Sequence, residues 1–193
     1  MHMADVFGER THDMMREVLL DPDAVGPAVH YYMIRGGSEK GNITVWESGV
    51  VGREYIKTYG HYHVDALPET YWILSGEGVA LLQKRAGDGS DPAHLEAFKV
   101  VKVMAGEKLD IPAGWGHLVV NTGKTFLVTK DDSPVAGVGD SASMPQHADY
   151  EPVKAMHGFA YYVVEHDGKP ALMKNERYGD VKDIDLDGLD VIR

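Results

Sequence analysis

Across residues 28–130 the chain never adopts a helical period. Short stretches that alternate or run apolar follow one another at 29–34, 43–47, 53–58, 70–74, 78–84, 95–103, 117–121 and 125–130. Gly49, Gly52, Gly76, Gly78, Gly87, Gly89, Gly106, Gly114, Gly116 and Gly123 punctuate them. Many short strands with glycine turns predict an all-β sandwich or barrel. The lack of a helical stretch between strands argues against a βαβ architecture.

The flanks are less regular. Residues 1–27 read as an N-terminal extension in which Thr11 caps a short helix over 12–20. Met14, Met15, Val18 and Leu19 would share one side, and Asp21-Pro22 would end the helix. Residues 131–149 lose periodicity and read as a surface loop placed to cover a site. Residues 158–165 and 170–173 predict a hairpin around Asp167-Gly168. The closing stretch, 150–193, ends in an acidic tail whose Ile184, Leu186 and Leu189 would tuck against the barrel. With no fixed repeat and no composition shift, 1–193 is expected to form a single domain.

Charge narrows the function. The net charge of −11 argues against a duplex-binding or polybasic membrane-binding surface, so neither nucleic acid nor membrane is an expected partner. It does not argue against a small phosphate, which local amides, hydroxyls and a metal can hold. No apolar run approaches the ~20 residues that span a bilayer, and no export signal is visible. The chain has no cysteine, which excludes disulfides and thiolate metal sites and fits a cytoplasmic protein.

The chemistry concentrates between Thr58 and Gly76. His61 and His63 are two apart, so on a strand both imidazoles face one side. Glu69, beyond a loop carrying Pro68, can return a carboxylate to the same point from the next strand. Two imidazoles and a carboxylate suit a divalent cation. Arg53 and Lys57 read as solvated strand-edge charges, and Trp115 as packing under a loop.

A second stretch, Gly106-x5-Pro112-x-Gly114-x2-His117-x3-Asn121, has the spacing of the second cupin motif. His61-x-His63, Glu69 and Gly76 resemble the first motif, although Tyr55 replaces its glycine and five residues separate His63 from Glu69. Thr44-Val45, Thr58-x-Gly60-His61-x-His63, Glu69-x-Tyr71, Trp115 and His147-Ala148-Asp149-Tyr150 resemble the cupin-type glucose-6-phosphate isomerases.

That resemblance implies a cupin jelly-roll barrel, a homodimer and a phosphorylated sugar substrate. It implies one divalent ion per subunit, Fe2+ foremost with Mn2+, Ni2+ or Zn2+ as alternatives, held by His61, His63, Glu69 and His117. Phosphate contacts carry over to Thr44, Thr58 and Gly60. Glu69 takes the place of the family's base. His147 is the candidate for ring opening or proton relay, and Tyr71 and Tyr150 are candidates for positioning the base and binding sugar hydroxyls. A family tyrosine expected near Asp131 is missing, and Lys130 is the candidate replacement. Another falls on Tyr31 or Tyr32, undecided between the two. The expected reaction interconverts glucose 6-phosphate and fructose 6-phosphate by proton transfer through an enediol. The competing readings are a hydride shift, isomerisation of another sugar phosphate such as mannose 6-phosphate, a metal dioxygenase and a non-catalytic sugar-binding cupin.

Overall fold

The computed structural model describes residues 6–35, 41–133 and 147–192. Period-two alternation builds its main sheet. Asn42–Trp46 buries Asn42, Thr44 and Trp46; Leu127–Asp131 buries Leu127, Thr129 and Asp131; and Glu69–Ser75 buries Glu69, Tyr71 and Ile73. Six strands join in the order Val6–Thr11, Val29–Arg35, Asn42–Trp46, Leu127–Asp131, Glu69–Ser75 and Lys108–Ile111. A second sheet runs Gly116–Asn121, Glu77–Arg85, Leu95–Met104 and Asp183–Asp185. Strands distant in sequence are neighbours in both sheets, which is the nesting of a jelly roll. One core joins them, with Tyr31, Trp46, Ile73 and Leu127 from the first sheet and Leu81, Leu118 and Val120 from the second. The expected all-β cupin barrel is therefore present.

The expected hairpin forms from Tyr161–His166 and Lys169–Lys174. Asp167 (φ 51°) and Gly168 (φ 74°) both take the left-handed conformation that suits a tight two-residue turn.

Several sequence expectations need correction. Residues 6–11 are not a bare extension but an edge strand of the six-stranded sheet. Thr11 does cap a helix, accepting from the Met14 amide at 3.4 Å, but the helix covers only His12–Met15 before a 3-10 turn at Arg16–Val18. The cause is long-range: the Val18 carbonyl accepts from Lys57 and the Leu20 amide donates to Glu54, so neither continues a helical ladder. Met14 consequently points outward, 44% exposed, while Met15, Val18 and Leu19 are buried.

Residues 53–58 hold only the short strand Glu54–Tyr55 and a bridge from Lys57 to Val120. Lys57 is not a solvated edge charge. It is buried, 2.5 Å from Glu54. In the acidic tail Leu186 and Leu189 pack on the core, but Ile184 is 41% exposed. The expected loop 131–149 begins inside a strand at Asp131 and ends in one at Ala148–Asp149; residues 134–146 lie outside the described residues.

Candidate active site and metal centre

The site forms where the second sheet meets the segment that leads into Glu69. His61 and His117 pair through their backbones, with the His61 amide donating to the His117 carbonyl at 3.2 Å and the reverse bond at 3.0 Å. This brings their rings to 4.4 Å, centroid to centroid. Gly60 makes the approach possible. Its φ is +84°, and a Cβ there would lie 2.8 Å from the Phe159 ring. His63 follows in the strand Tyr62–His63, which pairs with Ala148–Asp149. Its ring lies 5.2 Å from that of His61 and 5.3 Å from that of His117. Glu69, the first residue of its strand, brings Oε2 to 2.9 Å from His117 Nε2 and 3.3 Å from His63 Nε2.

One ligand atom from each of His61, His63, Glu69 and His117 lies within 4.8 Å of the other three. His63 Nδ1 is 2.7 Å from the Leu67 carbonyl, so it carries the proton and Nε2 presents a lone pair to the cluster. His61 Nε2, His63 Nε2 and Glu69 Oε2 are all buried and make no well-formed hydrogen bond among the described residues. Convergent, orphaned lone pairs of two nitrogens and a carboxylate oxygen fit a divalent cation by their chemistry.

Electrostatics agree. Burial, and then the nearby His117, hold the His61 imidazole well below the usual histidine range, so it is neutral. Burial works against the Glu69 carboxylate, but the charge of the adjacent His117 and the close approach of the His117 and His63 nitrogens outweigh it and leave Glu69 ionised. His63 departs from this pattern: burial opposes its cation, yet contacts with Glu69 and the Leu67 carbonyl raise it, so a metal ion would compete with a proton at that nitrogen. Tyr71, whose hydroxyl is 3.3 Å from His117 Nε2, is kept a neutral phenol by burial and by the charges of Glu69 and Asp131.

Of the other expected residues, His147 and Tyr150 lie beside this cluster. His147 sets its ring edge-on to its neighbours, 5.6 Å from His63 and 6.2 Å from His61, its carbonyl accepting from the Val64 amide at 2.9 Å. Tyr150 lies 5.4 Å from His61 and edge-on to Tyr59. Thr58 Oγ1 accepts from the Val119 amide at 3.0 Å. Thr44 faces the barrel interior beside Thr129, its cross-strand partner. Of the two tyrosines, Tyr31 is the inward one, buried and accepting from the Tyr59 amide at 3.3 Å. Tyr32 faces out and stacks on Phe7.

Lys130 does not replace the missing tyrosine. Alternation sends it outward, 5.9 Å over the Trp72 ring, and Asp131 takes the inward position. Burial, and then the charge of Glu69, push the Asp131 carboxyl up to about 7. Asp131, Ser133, Thr129 and Arg10 were not found by sequence reasoning. The Arg10 guanidinium carbon lies 5.2 Å from the Tyr59 ring, 5.5 Å from Tyr150 and 5.9 Å from Tyr31. Continuing the alternation from Leu127 would have found Thr129 and Asp131.

A jelly-roll barrel into which three imidazoles and one carboxylate converge is a cupin. A family model described as Glucose-6-phosphate isomerase (GPI) matches residues 32–179, and the chain belongs to that family. It is 29% identical over 181 residues to a glucose-6-phosphate isomerase of Thermococcus gammatolerans, covering 91% of this chain and 85% of that one. It is 31% identical over 136 residues to one of Thermococcus onnurineus (70% and 62%). A third, from Thermococcus litoralis, is 29% identical over 153 residues (76% and 70%).

Proposed function

We propose that the protein interconverts glucose 6-phosphate and fructose 6-phosphate, using one divalent ion held by His61, His63, Glu69 and His117. The observation that carries this reading is the convergence of those four ligand atoms within 4.8 Å in a chain of this family. Fe2+ is the foremost candidate, with Mn2+, Ni2+ and Zn2+ as alternatives. When bound, the ion supplies positive charge beside the two sugar oxygens on which negative charge develops.

The chain's own groups supply the rest. Glu69, ionised in its buried setting, is the base that moves a proton between C1 and C2. Tyr71, held neutral beside His117, keeps a hydroxyl proton available to orient a sugar oxygen. His147 serves ring opening, and Tyr150 binds a sugar hydroxyl. Thr58 uses a lone pair on the Val119 amide, which leaves its own proton to donate to phosphate. Thr44, the Gly60 amide and Tyr31 complete the anion pocket.

The protein is read as a cytoplasmic homodimer. The outer face of the six-stranded sheet supports the dimer. Phe7, Ile34, Ile43, Lys130 and Trp72 form one cross-strand row, and Phe7, Ile34 and Trp72 are 59%, 38% and 37% exposed.

A coupled assay of glucose 6-phosphate against fructose 6-phosphate, with and without chelator, tests the reading. The expected result is turnover lost on chelation and restored by metal. Turnover indifferent to chelator and to His117→Ala would remove the metal from the reaction. Isomerisation in deuterated water should place deuterium at C2; its absence would favour the hydride shift.

A further inference from the structure

The three residues after the missing tyrosine's expected position, Asp131-Asp132-Ser133, form a latch on Glu69. The Ser133 hydroxyl donates to Glu69 Oε1. Its amide donates to Asp131 Oδ1 at 3.1 Å. Asn42 Nδ2 donates both to Asp131 Oδ1 at 2.6 Å and to the Ser133 carbonyl at 3.0 Å. Arg35 holds Asp131 Oδ2 at 3.4 Å. On the other side Asp132 accepts from the amide of Thr70, the neighbour of Glu69, at 2.8 Å. Backbone and side chain of Ser133 are thus both fixed, and its hydroxyl has one fixed target.

The two oxygens of Glu69 are then unequal. Oε1 is engaged by Ser133, while Oε2 faces His63 and His117. A carboxylate with both oxygens free can chelate a cation with both, or rotate between modes. One with an oxygen tied to a fixed hydroxyl offers the cation the other oxygen only.

We propose that Ser133 is a positioning residue that divides the work of Glu69, keeping Oε1 out of the metal site and leaving Oε2 to the three histidines. This rests on the metal-site reading above. Asp131, Asn42 and Arg35 act one step further back, by fixing where Ser133 stands. Oε1 accepts from Ser133 with one lone pair and keeps the other for the carbon proton, so the base stays aligned with that proton through turnover.

The test uses the cobalt-loaded protein, because Co2+ absorption reports the number and arrangement of ligands without requiring turnover. Ser133→Ala should shift and intensify or weaken the visible bands relative to wild type. It should also lower kcat roughly ten- to fifty-fold with KM changed less than about two-fold. Ser133→Thr, which keeps the hydroxyl, should restore both. Asn42→Ala should give the same spectral change in smaller degree.

An unchanged cobalt spectrum in Ser133→Ala overturns the proposal, whatever happens to kcat. So does a Thr variant that behaves like Ala. A spectral change in a protein without isomerase activity leaves Ser133 in its role and overturns the isomerase reading. Wild-type turnover with an insensitive spectrum does the reverse. No visible bands on adding cobalt to wild type overturns both the latch and the metal site.

Discussion

Two buried carboxylates in this molecule do opposite things. Glu54 lies against Lys57 at 2.5 Å and accepts from the Leu20 amide at 2.7 Å, while Lys57 donates to the Val18 carbonyl at 2.6 Å and sits 4.9 Å over the Tyr162 ring. Each charge in that group is used to hold one piece of chain against another. Glu69 is equally buried but faces imidazole nitrogens, and lone pairs on His61 and His63 meet no donor. Burying an ion costs several kcal/mol unless charge and hydrogen bonds answer it. The first group answers within itself and is structural. The second, under the proposed reading, would be answered by a cation from outside, and this would make it a site.

The largest expected effect comes from breaking the first group. Lys57→Met leaves Glu54 buried without its cation and should cost about 3–5 kcal/mol. Urea unfolding would show it, while metal bound per folded molecule stays the same. A loss below ~1 kcal/mol would mean the pair is no anchor. Breaking the second group should read out differently. His117→Ala should lower metal affinity and turnover at least ~100-fold, measured by metal analysis after dialysis and by the coupled assay. The metal-free fold should lose stability as well, because His117 Nε2 lies 2.9 Å from Glu69 Oε2 and 3.3 Å from the Tyr71 hydroxyl, so the readout that separates the two groups is metal bound per folded molecule.

A smaller effect separates the two by pH. His30 is buried and held down to about 4, first by burial and then by the charges of His12 and Lys57. Its unfolded value is near 6.5. The unfolded chain therefore binds the proton first as pH falls. The contribution is fully present above pH 6.5 and is lost as pH falls through about 4, to a total of about 3 kcal/mol. His30→Gln should flatten that part of the stability profile. An unchanged slope would put the acid sensitivity elsewhere. The smallest effect is at the anion pocket. Thr58→Val keeps the shape but removes the hydroxyl, and should raise KM for the sugar phosphate about five- to ten-fold with little change in kcat.

What could be read from the sequence follows the range of each interaction. The cluster of His61, His63, Glu69 and His117 was legible because the i, i+2 rule and short motif spacings are local. The barrel was legible because alternation and glycine turns are local too. Lys57 was misread because its burial depends on Val18, 39 residues earlier, as well as on Glu54 three residues before it. The helix at Thr11 was drawn too long for the same reason. Ser133 was invisible because its partner is 64 residues away. Asp131 differs: its inward direction follows from the phase of Leu127–Asp131. Lys130 was preferred there on the chemistry of its charge, against the geometry of the strand.

The acidic tail has a consequence for how the molecule stays separate from its neighbours. Asp183–Asp185 adds in parallel to Leu95–Met104, and Val191–Ile192 adds in parallel to Lys169–Lys174. Ten residues thus seal the open edges of two sheets, with Asp183 and Asp185 exposed and Asp187 accepting from the Lys102 amide at 2.9 Å. An unsealed edge is a template for another chain's strand, and a row of carboxylates along it discourages that pairing. Removing the tail would uncover two sticky edges at once, so aggregation rather than loss of turnover should be the first symptom.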